Sequence, residues 1–350
     1  MNFFKNPLGL VLVTWMLLAP GVGAAPPSTV TVLTPPPGEK PVKISTGIYF
    51  LNLVSVDERA QTFTADIYLT LSWKDTRLAF TPAKGQENQK AVFIEDAASD
   101  KLKEIWWPAL EMVNAGQPDI TNRYLTIAPD GTVNYQLGMT TEFRARFDFH
   151  RFPMDKQVLP VQVQSFLFEK DVVEFVPDPH RIGVSKKASF DDLALKGVVV
   201  DSTIDTVEGW DEKFSEFEAH LHVHRNYDHY IWQVLLPLIL ILSISWSVFF
   251  IPSEAVGDRV AISLTCLLAG IAFQFAVTAN LPSISYTTIL DRLFTLSYLC
   301  MTFGVAVSIT ENHWHRNNHP HNHRLNRAGL WLMPLFFVLG LVYIIWPALG

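Results

Sequence analysis

Cysteine is nearly absent from this chain. Only Cys266 and Cys300 occur among the 350 residues, and both lie inside uncharged stretches. The first 229 residues contain none, so no disulfide can cross-link that part of the chain. We expect both thiols to behave as small apolar packing residues.

Charge is also scarce, and its distribution excludes several classes of protein. Charged residues make up 17% of the chain and hydrophobic residues 49%, a balance too apolar for a typical soluble protein. The net charge is −7, and no dense basic cluster is present before the apolar C-terminal third, so no nucleic-acid partner is expected. No paired acid and base, nucleophile or closed metal-ligand spacing stands out, so we predict no enzyme activity, no cofactor and no metal site.

Long apolar runs are absent between residues 20 and 229, whereas four follow in the last 121 residues. An apolar layer of about 30 Å requires roughly 20 helical residues, and each run is long enough to cross it. We therefore predict a four-helix transmembrane domain over residues 230–350. The runs are Tyr230–Ile251, Val260–Leu290 (interrupted by Leu281-Pro282), Leu293–Thr310 and Ala328–Gly350.

The two ends of the chain indicate its orientation. Lys5, the apolar stretch Leu8–Leu18 and the small residues near Ala24 predict a signal peptide over residues 1–25, so the following domain is exported. The connection between the third and fourth runs, residues 311–327, is then a short cytoplasmic loop. Its arginines at 316, 324 and 327 agree with the positive-inside rule.

Residues 26–229 contain short alternating runs typical of half-buried strands. In the longest run, Phe63–Trp73, apolar side chains alternate with Thr64, Asp66, Tyr68, Thr70 and Ser72. Val161–Gln164 and Phe217–Val223 repeat the pattern, and turn signals such as Pro129-Asp130-Gly131 separate the runs. Many short strands predict an immunoglobulin-like β-sandwich ahead of the membrane domain.

Histidines cluster at two places. Five lie in the loop 311–327, and His220, His222 and His224 alternate along a predicted strand. Imidazoles bind zinc, nickel and copper, but the spacing matches no closed site. We interpret both clusters as ordinary polar surface.

The segment from Gly257 to Pro282 repeats small or apolar side chains at steps of four and three, which places them on one stripe of a helix. Asp258 and Arg259 stand just before the stripe. Such a helix could line a pore, or it could pack its small residues against neighbouring helices; the spacing alone leaves both open. The stripe consists of Ala261, Thr265, Leu268, Ala272, Phe275 and Ala279.

Three further features resemble one family. The segment Phe147–Gln157 (FDFHRFPMDKQ) resembles the signature loop of the pentameric ligand-gated ion channels, which include the nicotinic and GABA receptors. Ala145 and Leu159 stand where animal members have disulfide-forming cysteines, as in bacterial members. The second feature is the segment Trp73–Leu78 (WKDTRL). The third is Arg225 just before the first apolar run, followed by Pro237 inside that run and by Leu281-Pro282 between the second and third helices. Segments 246–250 and 108–111 look most like the amine-gated bacterial type.

The resemblance implies a homopentamer in a bacterial inner membrane, with its N-terminal domain facing the periplasm and its helices in contact with lipid. Five copies of the stripe would surround a pore, and apolar rings of Leu268 and Phe275 would form the gate. Carboxylates of Asp258 and Glu254 at the inner mouth would favour monovalent cations, although Arg259 argues the other way. The alternative is a membrane-anchored ligand sensor that does not conduct.

The resemblance also implies a coupling junction between the two domains. It places Arg225 beside the two acids Asp155 and Glu58, because the family brings these positions together. Phe152 and Pro153 of the signature loop and Pro282 after the second helix complete this set. A basic residue between two acids at a low-dielectric boundary can form a stable, switchable contact.

A small-molecule agonist is expected between subunits, by the same resemblance. One subunit would contribute Glu111, Val113, Phe166, Trp210 and Phe214, and its neighbour would contribute Phe63, Tyr124 and Gln136. Aromatic rings with a carboxylate suit an ammonium group. Gln164 and Ser165, however, replace an acid and a proline of amine-gated relatives, so an aromatic acid or another small molecule stays open.

Overall fold

The part of the chain before the long helices folds as two stacked β-sheets, as the alternating sequence predicts. The computed structural model describes residues 33–82, 89–188, 193–207, 212–252, 254–279, 281–317 and 322–346. The predicted signal peptide and Trp210 lie outside these residues. The prediction of a β-sandwich followed by four membrane-length helices is confirmed.

The first sheet has seven strands, in the order β3-β5-β6-β2-β1-β8, with β9 also pairing with β1. The second sheet has four strands, in the order β10-β11-β7-β4. A single short helix, α1 (Asp96–Glu104), connects β3 to β4. The strands are β1 Val42–Asp57, β2 Thr62–Lys74, β3 Ala91–Ile94, β4 Leu110–Met112, β5 Asp119–Ile127, β6 Thr132–Arg144, β7 Lys156–Ser165, β8 Val173–Pro177, β9 Gly183–Val184, β10 Leu193–Val207 and β11 Glu212–Arg225.

The core of the sandwich lies between the inner faces of the two sheets. Along β2 every second residue is buried, from Phe63 to Trp73, because successive side chains of a strand point to opposite faces. Strands β7 and β11 supply the facing layer, including Val161 and Phe217. The opposite faces of β2 and β6 keep polar side chains, so the outer surface of the first sheet is available for contacts.

Four helices follow: α2 (Asp228–Phe250), α3 (Val256–Thr278), α4 (Ile289–Arg316) and α5 (Asn322–Ile345). α2 contains a π-helical stretch over Ile231–Leu235, just before Pro237. Proline lacks an N–H donor, so the regular hydrogen-bond ladder cannot continue unchanged there. Cys266 and Cys300 are buried between helices beside Met301, as expected for packing residues.

Two predicted boundaries in the membrane domain are wrong. α4 continues to Arg316 and α5 begins at Asn322, so helices occupy most of the segment 311–327 that was expected to be a loop. α4 also begins at Ile289, four residues before the apolar run was expected to start, because Thr288 and Asp291 form a reciprocal capping box. Charged and capping residues continue these helices beyond their apolar stretches, which hydropathy alone cannot detect.

Candidate functional site

The stripe on α3 is exposed in the single chain along its whole length. Leu268 and Phe275 are 69% and 73% exposed, and the smaller stripe residues are exposed as well. The opposite face, with Ser263, Cys266 and Gly270, is buried, and the Tyr298 hydroxyl of α4 donates to the Gly270 carbonyl at 3.1 Å. Packing within the subunit therefore uses the other face. Ala279, expected at the outer end of the stripe, lies just beyond the last helical residue.

At the N-terminal end of α3, two neighbouring charges have opposite surroundings. Arg259 is 1% exposed, and its guanidinium donates to the carboxylate of Glu311 on α4 and to the carbonyl oxygen of Ile251. Asp258 is exposed. Glu254 lies nearby with its carboxylate 3.2 Å from the His315 ring. Sequence reasoning missed Glu311, which lies 52 residues from Arg259 and carries no local signal.

The junction between the two domains is built around a buried arginine. Arg225, the last residue of β11, donates through Nε to Asp155 Oδ1 at 2.8 Å and through Nη2 to Oδ2 at 3.1 Å. Glu58, in the turn before β2, forms the second ion pair. Burial alone would lower the pKa of Arg225, but the hydrogen bond and charge of Asp155 and the charge of Glu58 outweigh it, so the pKa is raised. The structure therefore brings together the three predicted residues.

Aromatic rings enclose this ion pair. The Arg225 guanidinium lies 4.8 Å from the centroid of the Phe152 ring and 5.9 Å from that of Tyr230, at the start of α2. Gln157 donates to Asp155 and also to the Asp148 carbonyl at 2.8 Å. The two cation–π contacts hold the guanidinium in place, and the amide of Gln157 holds its partner Asp155. Pro153, joined to Phe152 by a cis peptide bond, is only partly exposed.

The signature loop touches the membrane domain through residues that sequence reasoning missed. The Tyr286 hydroxyl, in the segment between α3 and α4, accepts the Phe149 N–H at 3.1 Å, and its ring stacks on His150 with centroids 3.7 Å apart. Asp148 accepts from the backbone N–H of His150 and contacts its ring, and both lower the pKa of Asp148. Tyr286 is four residues after Pro282, whose place in the coupling set stays a prediction.

The expected ligand residues fall on two separate surfaces. Glu111, Val113 and Phe166 are exposed on the four-stranded sheet, where Glu111 pairs with Gln164 across β4 and β7. Phe214 on β11 is partly buried at the same end of that sheet. Tyr124 and Gln136 are directly paired on the outer face of the seven-stranded sheet. Two surfaces of one subunit are what a site between subunits requires.

The prediction that Phe63 contacts the ligand is wrong. It is 1% exposed and stacks on Phe143 in the core, with ring centroids 5.1 Å apart, so it cannot reach a ligand on the surface. Residues of β2 with even numbers point outward instead, and Thr70 lies beside Gln136. The strand alternation in the sequence already contained this signal.

Within the described residues, no three His, Cys, Asp or Glu side chains come together as metal ligands. His319 and His321 lie outside these residues, and the side chain of His323 is likewise not described.

Two family models match the chain in order. The neurotransmitter-gated ion-channel ligand binding domain matches residues 31–227, and the neurotransmitter-gated ion-channel transmembrane region matches residues 234–333. The boundary between them falls at the junction around Arg225 and the start of α2.

Curated relatives extend the match over both domains. A proton-gated ion channel of Gloeobacter violaceus is 29% identical over 293 residues, which cover 81% of this chain and 77% of the relative. A gamma-aminobutyric acid receptor subunit theta of Mus musculus is 28% identical over 285 residues, which cover 80% of this chain and 42% of that subunit. The chain therefore belongs to the neurotransmitter-gated ion-channel family, as a bacterial pentameric ligand-gated ion channel and not an enzyme.

Proposed function

We propose that five copies of this chain form a cation-selective channel that a small molecule opens by binding between their exported domains. The channel lies in a bacterial inner membrane with the β-sandwiches in the periplasm, and monovalent cations pass along the α3 stripes. The family supplies the channel function, and the residues of this chain supply the arguments for its charge selectivity and its gate.

The inner end of α3 is the observation that carries the cation selectivity. Arg259 is buried against Glu311, so its positive charge is compensated and turned away from the exposed stripe. Asp258 is exposed one residue earlier, and Glu254 is exposed nearby. In a fivefold assembly these carboxylates form rings near the inner mouth, and such rings attract cations and repel anions.

Leu268 and Phe275 support a gate within the same helix. Both side chains are large, apolar and exposed, and they lie two turns apart on the stripe. Rings of such side chains exclude water when the pore narrows, and a dry constriction stops ion flow. Glu58, Asp155 and Arg225 connect this helix bundle to the exported domain through the contact of Arg225 with Tyr230 of α2. Tyr286 connects the signature loop to the segment between α3 and α4.

Reversal potentials of the purified protein in a lipid bilayer test the proposal. Under a tenfold gradient of NaCl, a cation-selective pore reverses near the sodium potential, about 59 mV from zero. Asp258→Asn should move the reversal potential toward zero. Asp130→Asn is the matched control, because Asp130 is an exposed carboxylate at the far end of the sandwich.

A reversal potential near that of chloride would refute cation selectivity. Currents that respond to acid but to no small molecule would instead assign this chain the proton gating that its Gloeobacter relative's name describes. Ligand binding without current under any condition would favour the non-conducting sensor.

A further inference from the structure

A cavity of about 400 Å³ opens on the outer face of the seven-stranded sheet. It lies over a row of side chains in register across three strands, with Thr70 of β2 opposite Gln136 of β6 and Gln136 opposite Tyr124 of β5. Two of the residues expected to bind ligand thus share one cavity. Its volume is within the range of small-molecule sites, roughly 300–1,000 Å³. We call this cavity the cationic pocket, and the lining residues used in the argument are Thr70, Lys90, Tyr124, Asn134, Gln136 and Arg181.

Two cations line this pocket and, among the described residues that line it, no carboxylate does. Arg181 comes from the short turn Pro179–Arg181 before β9, and Lys90 directly precedes β3. The Arg181 guanidinium is oriented by Asn134, which accepts from Nη2 at 3.3 Å, and by Asp178, whose carboxylate is 3.3 Å from Nε. Asp178 itself is outside the lining. These two partners hold the Arg181 guanidinium in position at the cavity.

Backbone packing fixes where Arg181 enters the pocket. A Cβ atom placed on Gly47 of β1 would lie 2.3 Å from the Cβ of Arg181, so only glycine permits this close approach. Gly47 is also in register with Thr70, whose hydroxyl donates to the Gly47 carbonyl at 3.2 Å. The turn that carries Arg181 is thus seated against the sheet at the row of pocket residues.

The chemistry of the lining selects the charge of the ligand. A guanidinium fork pairs with a carboxylate through two parallel hydrogen bonds, and an ammonium group adds charge. The Tyr124 hydroxyl and the amides of Asn134 and Gln136 complete a set of hydrogen-bonding groups. A cationic amine would meet two like charges here. We propose that the agonist carries a carboxylate, which Arg181 and Lys90 bind; this rests on the proposed function, in which a small molecule binds between subunits.

Calorimetric binding to the full-length protein in nanodiscs tests the proposal with matched probes. Propionate and benzoate are compared with propionamide and benzamide, and with propylamine and benzylamine, in a chloride buffer. The acids should bind at least about tenfold more tightly than their amides, as expected for charge-assisted hydrogen bonds. Arg181→Gln and Lys90→Gln should each weaken acid binding about tenfold, and Arg181→Lys should fall between. Lys74→Gln, an exposed cation of the same domain outside the pocket, should leave binding unchanged.

Three results would overturn the carboxylate proposal: preferential binding of the amines, equal binding of acids and amides, or no acid binding at about 10 mM. Unchanged acid binding in a folded Arg181→Gln variant would overturn it as well. Because the assay needs no current, its failure is distinct from failure of the channel proposal. Cation currents without acid binding refute only the ligand class, whereas acid binding without currents refutes only the channel.

Discussion

Replacing Asp155 by asparagine should uncouple the β-sandwich from the proposed pore while leaving the channel assembled. The substitution keeps the shape of the side chain and removes the charge that Arg225 contacts through both Nε and Nη2. Glu58 remains as one partner of the guanidinium. We expect agonist binding to persist and agonist-evoked current to fall steeply.

The size of the effect follows from burial. Asp155 and Arg225 are both almost fully buried, and removing one partner of a buried ion pair typically costs 3–5 kcal/mol. Since Glu58 still compensates part of the charge, we expect the low end, about 3 kcal/mol per subunit. That corresponds to a change of roughly 150-fold in an equilibrium between closed and open junctions, if the pair is intact in only one of them.

Asp75→Asn is a matched control for stability. Asp75 is fully buried and accepts from Arg77 Nε and Nη2, both at 2.8 Å, in the same two-point geometry as the junction pair. Asp75 directly follows the last residue of β2, whereas Glu58 of the junction lies in the turn before β2. The 13 residues of β2 separate them by about 40 Å. Asp75→Asn should therefore lower the melting temperature by a similar amount without affecting coupling.

Patch-clamp recording of both variants in liposomes, with ligand binding and thermal melting measured in parallel, separates the two roles. Loss of current in Asp155→Asn with retained binding, and normal current in Asp75→Asn, would support coupling through the junction. Equal currents at matched stability would refute the reasoning, because the buried pair would then contribute only to folding.

Three other variants test the remaining sites. Glu311→Gln should leave the charge of Arg259 without its carboxylate partner and lower the cation-to-chloride permeability ratio. An unchanged ratio would show that Arg259 does not affect selectivity. Leu268→Thr should increase the current measured without agonist, because a hydroxyl group wets the apolar ring. Leu299→Thr, on the exposed face of α4, is the control and should leave that current unchanged. Equal agonist-free currents in the two variants would exclude a gate at Leu268. Hydrogen bonds from the backbone N–H and the ring of His150 hold the pKa of Asp148 below its ordinary value, so the stability that Asp148 contributes is present above the ordinary carboxyl pKa and is lost as the pH falls through the lower folded value. The difference in melting temperature between wild type and Asp148→Asn should therefore persist from pH 7 to 5 and vanish only in stronger acid. Loss of the difference near neutral pH would contradict this.

Much of the fold could be predicted because its signals are local and periodic. Alternation along Phe63–Trp73 gave β2 within one residue at each end, since a half-buried strand requires apolar residues at every second position. The helix ends were less accessible. α4 continues through polar residues to Arg316, where hydropathy has already fallen, because helical hydrogen bonding and packing do not stop at the edge of the apolar layer.

Among the site residues, too, only those with a local sequence pattern could be placed in advance. Phe63 was assigned to the ligand surface by resemblance, although its own alternation placed it with the core, and the structure agrees with the alternation. Tyr286 and Arg181 act through contacts with residues more than 40 positions away. No local pattern reports such contacts, so only the folded chain identifies them.

The inner mouth illustrates why neighbouring charges cannot be assigned from sequence. Successive residues of an α-helix point about 100° apart, so of Asp258 and Arg259 one can face the stripe while the other faces the bundle. Which one does depends on the phase of α3, and the phase depends on what lies opposite. Glu311 on α4 and the Ile251 carbonyl provide partners for a guanidinium and none for a second carboxylate. If Asp258 faced the bundle instead, its carboxylate would lie against that of Glu311, and the charge of Arg259 would face the proposed pore. In the proposed pore, the distant Glu311 would therefore determine which of the two charges a permeating ion meets.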